Sequence, residues 1–96
     1  MTLKNPKQKG THAEHKSMRY FEAQGFVCVR SAGSLGAFDF IAFGAQEIIL
    51  CQVKCNGWPD PAEREKMAGV PCPANCRKEV HRWNDYAREP EVRIVA

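Results

Sequence analysis

Phe38-Asp39-Phe40-Ile41-Ala42-Phe43, Gly44-Ala45-Gln46 and Glu47-Ile48-Ile49-Leu50-Cys51-Gln52-Val53-Lys54 follow one another without a break, and this run decides the fold. Two apolar stretches around a three-residue turn predict an antiparallel hairpin with strands at 38–43 and 47–54. The second strand alternates, so Ile48, Leu50, Gln52 and Lys54 share one face, and Ile49, Cys51, Val53 and Cys55 the other. Asp39 lies inside the otherwise apolar first strand. A carboxylate buried there without a partner costs several kcal/mol, so it needs a cation or donors. The hairpin sets Asp39, near the start of one strand, beside Lys54 at the end of the other. A carboxylate, the Gln52 amide and an ammonium thereby meet at one end of a sheet.

Outward from the hairpin, Thr11 can cap a helix to about Gln24, with Gly25 as its stop. Glu14, Ser17, Met18 and Phe21 fall on one face of that helix, which Met18 and Phe21 mark as buried. Residues 26–30 read as a strand, and 31–37 as a small-residue loop. Residues 62–68 read as a short helix, and 78–83 and 91–95 as two last strands. The order α-β-β-β-α-β-β predicts an α/β fold, a mixed five-stranded sheet flanked by two helices. The 96 residues fit one domain, expected over 11–96 after a flexible basic arm at 1–10.

The formal net charge of +3 is too small to identify a nucleic-acid binder. Its distribution says more: residues 1–31 hold Lys4, Lys7, Lys9, Lys16, Arg19 and Arg30 against only Glu14 and Glu22. Such a surface suits a phosphate backbone, or is simply a solvated face. The five cysteines are an odd number, and the N-terminus lacks a secretory apolar run, so the cytoplasm is the expected compartment.

Asp39, Gln52 and Lys54 together suit phosphodiester hydrolysis. Mg²⁺ takes hard oxygen ligands and keeps several waters, so one or two carboxylates and a substrate phosphate suffice. Lys54 can orient the attacking water and stabilise charge in the transition state. Glu14, on a helix packed against the sheet, adds a further acid. Each residue also has an ordinary structural use. Thr11 and Glu14 match a helix capping box, Asp39 could serve a turn, Lys54 could be solvated, and Gln52 could bond a neighbouring strand.

Lys9-Gly10, Glu14, Gly25-Phe26-Val27, Arg30-Ser31-Ala32-Gly33-Ser34, Phe38-Asp39-Phe40-Ile41-Ala42 and Gln52-Val53-Lys54 occur in an order that resembles the archaeal-type Holliday junction resolvases of the PD-(D/E)xK nuclease superfamily. The resemblance is close over residues 9–54 and looser beyond. It implies a restriction-endonuclease-like fold and a homodimer that resolves branched, four-way DNA. It also implies Mg²⁺, with Mn²⁺ able to substitute, held by Glu14, Asp39, Gln52 and the Val53 carbonyl. Lys54 and Ser34 would assist catalysis, and Lys9, Arg19, Arg30 and Ser31 would contact DNA. One departure stands out: the family usually has glutamate where this chain has Gln52, so the site loses a negative charge and should hold Mg²⁺ less tightly.

Two other readings follow from particular residues. Gln52 suggests a branched-DNA-binding module that has lost catalysis. Cys51, Cys55, Cys72 and Cys76, with His12, His15 and His81, suggest a small zinc-binding domain, although their spacing is looser than paired Cys-x-x-Cys knuckles. Cys51 alternates onto the apolar face of its strand, as a core thiol would.

Overall fold

A computed structural model describes residues 6–30 and 37–95, with the side chains of residues 6–9 outside that description. Its elements are α1 (Pro6–Glu22), β1 (Val27–Arg30), β2 (Phe40–Phe43), β3 (Ile48–Cys55), α2 (Pro61–Gly69), β4 (Cys76–Trp83) and β5 (Glu91–Val95). The strands form one sheet in the order β1-β2-β3-β4-β5. Among the described strands only β3 and β4 run parallel, and α2 makes the crossover between them. The expected mixed sheet with two helices is the observed one.

Two expectations change. The first helix begins at Pro6 rather than Thr11, so residues 6–10 are helix and not arm. Proline suits a first helical position because its missing N–H would have no partner there. Thr11 therefore lies a turn and a half inside the helix and caps nothing, which removes the capping-box explanation for Glu14. The second change concerns Asp39, which sits just before β2 rather than within it. The other end of the helix is as expected: Gly25, at φ 95°, turns the chain and lets Phe26 N–H reach the Phe21 carbonyl at 3.1 Å.

Alternation along β3 divides the core. Ile49 and Cys51 pack with Phe21, Phe40 and Ala42 on the α1 side, while Leu50 packs with Phe38, Met67 and Val80 on the α2 side. The β2–β3 turn is tight because residue 44 has no side chain: a Cβ there would lie 2.7 Å from the Phe26 ring and 3.2 Å from the Glu47 carbonyl. Cys51 belongs to the α1-side core, and Cys72 and Cys76 border the α2-side core, so these thiols cannot share one zinc. Burial, with the nearby Cys72, pushes the Cys76 thiol up to about 11. Among the described residues, no helix is long and apolar enough to cross a membrane.

A buried polar chain ties α1 to β4. The Trp83 indole N–H donates to Ser17 Oγ at 2.6 Å, and Ser17 Oγ lies 3.0 Å from His81 Nδ1. His81 Nε2 lies 3.0 Å from Glu79 Oε1, and Arg77 donates to both Glu79 and Glu47. Burial pushes the Glu79 carboxyl up, but the hydrogen bonds from His81 and Arg77 outweigh it and leave it below the ordinary 4.5. A depressed folded-state value contributes stability that is present above 4.5 and lost as pH falls through the folded value. The melting temperature should therefore fall on acidification below that point. Glu79→Gln should flatten this acid limb relative to wild type in melts recorded from about pH 3 to 7.

Candidate active site

β3 is longer than β2, and the excess builds the site. Pairing with β2 ends at Phe40↔Cys51, whereas pairing with β4 continues from Gln52↔Val80 to Cys55↔Trp83. The β2-facing edge of residues 52–55 is thus left without a strand. Asp39 fills the gap: its N–H donates to the Cys51 carbonyl at 2.8 Å, and its Oδ2 accepts the Val53 N–H at 2.7 Å. In a strand, the N–H and C=O of one residue point to the same side. The Val53 carbonyl therefore faces the same edge as Asp39.

Around this carboxylate the structure brings Glu14, Arg30, Val53 and Lys54. Burial raises the Asp39 carboxyl above its ordinary value; the Val53 N–H opposes this, the Glu14 charge adds to it, and Lys54 and Arg30 oppose it. Glu14, on α1, accepts from Arg30 Nε at 3.2 Å, and Arg30 pairs with Phe40, the residue after Asp39. Arg19 is not brought in. It is exposed on the last turn of α1, about 140° around the helix from Glu14. Ser31 and Ser34 lie outside the described residues, as does the Lys9 side chain.

Gln52 and Lys54 share a face, as alternation predicts, and both meet a residue that sequence reasoning missed. Glu63, on α2, takes Lys54 Nζ at 2.7 Å and Gln52 Nε2 at 3.2 Å on the same oxygen, Oε2. Its position follows from the start of α2. Asp60 caps the helix by accepting the Glu63 N–H on Oδ1 at 2.8 Å, and proline begins the first turn. The Lys54 hydrogen bond leads in holding the Glu63 carboxyl below its ordinary value, with the Asp60 backbone N–H contributing. Asp60-x-x-Glu63 was legible as a capping box, but nothing local to it points to Lys54.

The amide of Gln52 is oriented by this contact. A carboxylate has no proton to give, so Glu63 can accept only the amide nitrogen, and Oε1 must face the other way. Gln52 is 7% exposed, and its Oε1 finds no donor among the described residues. A buried acceptor left in this state is costly and calls for a partner.

Among the described residues, no three His, Cys, Asp or Glu side chains are placed to hold an ion by themselves. The oxygens that could hold a hard divalent cation are therefore mixed in kind: the Asp39 carboxylate, Gln52 Oε1 and the Val53 carbonyl. Such a set suits Mg²⁺, which accepts one or two carboxylates and retains water. The unpartnered Gln52 oxygen is the feature of this structure that fits such an ion best.

No family model matches the sequence, and no curated protein matches it. Among solved structures, one similar to this chain is Archaeoglobus fulgidus Hjc, a Holliday junction resolvase from an archaeal hyperthermophile. The two agree with a TM-score of 0.69 at 20% identity, over 90% of this chain and 70% of that one. The chain has that fold.

Proposed function

We propose that the chain is a metal-dependent endonuclease that recognises branched DNA and cuts four-way junctions as a homodimer. The observation that carries this reading is the gap beside β3, where Asp39 accepts the Val53 N–H near Lys54, with a buried, unpartnered Gln52 oxygen on the same strand. The fold shared with a Holliday junction resolvase supports the substrate class, as does the ordered run of residues that resembles that family.

In this reading Asp39, Gln52 and Val53 hold Mg²⁺, with Glu14 adding negative charge from α1. An ion held there would supply Lewis-acid polarisation of the phosphate and a more acidic water. Lys54 stabilises the charge that develops on the phosphate, and must exchange Glu63 for the substrate to do so. Arg30 supplies a second cation beside the site. The Arg30 side chain is half exposed in its bond to Glu14, so a phosphate can approach the guanidinium. The dimer is supported by an apolar strip on edge strand β1 and its neighbour β2. Val27 and Val29 are 66% and 52% exposed, and Phe43, paired with Val27, is exposed as well. An edge strand of this kind favours a covering partner.

The test is cleavage of an immobile four-way junction and of the matching linear duplex, with Mg²⁺ and without. Nicking of the junction only when Mg²⁺ is present is the expected result. A junction, a flap and a duplex all left intact with Mg²⁺ or Mn²⁺ would overturn the proposal. Salt-sensitive junction binding without cleavage would support the second reading, a binding module, which the hold of Glu63 on Lys54 favours.

A further inference from the structure

We propose that Glu63 is a positioning residue of the cation site: its carboxylate fixes the Gln52 amide with Oε1 presented to the ion, and supplies next to it the negative charge that residue 52 lacks. This rests on the endonuclease reading above and assigns a role within it to a side chain on α2.

Three observations carry it. Glu63 Oε2 binds Gln52 Nε2 and Lys54 Nζ together, so one carboxylate oxygen sets both side chains. The far oxygen of that amide is buried and has no donor among the described residues, which marks the direction in which the amide is presented. The third is a matter of charge. A glutamate at residue 52 would set two carboxylates about 3.2 Å apart, and such a pair resists double ionisation. Glutamine at 52 and glutamate at 63 are thus complementary. Together they carry the one charge that a lone glutamate at residue 52 would carry, divided between an amide that meets the ion and a carboxylate behind it. Groups that orient a metal ligand in this way typically change cation affinity by roughly 10- to 100-fold when removed.

The capping box gives Glu63 a purely structural use, so the test must separate charge from capping. Glu63→Gln keeps an acceptor for the Asp60 N–H and removes only the charge. The exchange variant Q52E/E63Q restores the charge, with the amide and the carboxylate trading places. Mn²⁺ affinity of the DNA-free protein, measured by calorimetry and by loss of the free-ion electron paramagnetic resonance signal, is the readout. Asp39→Asn serves as reference, and circular dichroism checks folding. E63Q should weaken Mn²⁺ binding about 10-fold or more, and Q52E/E63Q should recover most of it. Wild-type affinity in E63Q, with binding lost in Asp39→Asn, would overturn the role of Glu63 and leave the endonuclease reading standing. Weakened binding that the exchange variant fails to recover would show that a charge at residue 52 cannot stand in for one at residue 63, and would overturn the role too. Wild-type affinity in Asp39→Asn as well would remove the cation site itself, and the endonuclease reading with it. If E63Q alone proves unfolded, the exchange variant decides: wild-type affinity supports the role, and its loss in a folded protein overturns it.

Discussion

Asp39→Asn should lower junction cleavage by roughly 10²- to 10³-fold or more while leaving the protein at least as stable as wild type. The two effects have one cause. Asp39 is placed where its charge is costly: burial raises its carboxyl, and Glu14 adds to the repulsion. A carboxyl raised on folding binds protons more readily in the folded than in the unfolded state. Stability therefore declines as pH rises from the ordinary value of 3.8 through the folded value, and stays lower above it. Asparagine escapes that penalty and still offers an oxygen to the Val53 N–H. It cannot supply the negative charge that holds a divalent ion. Urea unfolding near neutral pH, alongside the junction assay, measures both. A variant that cleaves normally would remove Asp39 from the chemistry, and one that loses activity by unfolding would make it a structural residue.

Ser17→Ala should cost about 2–4 kcal/mol, because it strands two buried polar groups at once. Ser17 is fully buried and accepts the Trp83 indole N–H at 2.6 Å while lying 3.0 Å from His81 Nδ1. Alanine leaves two buried polar groups on β4 without their partner, and neither can turn to solvent. In a domain of this size the melting temperature should drop by about 10 °C or more. Chemical denaturation of Ser17→Ala, Trp83→Phe and the double variant checks the mechanism. If the Ser17–Trp83 bond is the cause, the double variant should lose clearly less than the sum of the single losses. Strict additivity would place the loss elsewhere.

The hairpin at 38–54 shows how much local pattern conveys. Apolar runs around Gly44 fixed two strands, and the alternation of Ile48 to Cys55 assigned Ile49 and Cys51 to one core and Leu50 to the other, as observed. The same alternation set Gln52 and Lys54 on one face. Local competition was harder to resolve. Thr11 reads as the helix start, yet the helix begins at Pro6, whose fixed φ and missing N–H suit a first helical position. Asp39 reads as a strand residue, yet its side chain takes the Val53 N–H and becomes the end of the ladder.

Periodicity in the chain determined the elements, their order and the faces they bury, because each of these depends on neighbours a few residues away. Tertiary structure alone chose the partners of the polar side chains. Ser17 and His81 are 64 residues apart, and Glu63 reaches Gln52 across 11 residues and a change of element. A carboxylate or hydroxyl bonds whatever donor packing brings within about 3 Å, and no local pattern records that choice. The strands of the site were therefore readable in the sequence, while the α2 carboxylate that orients two of its side chains emerged only when helix and sheet came together.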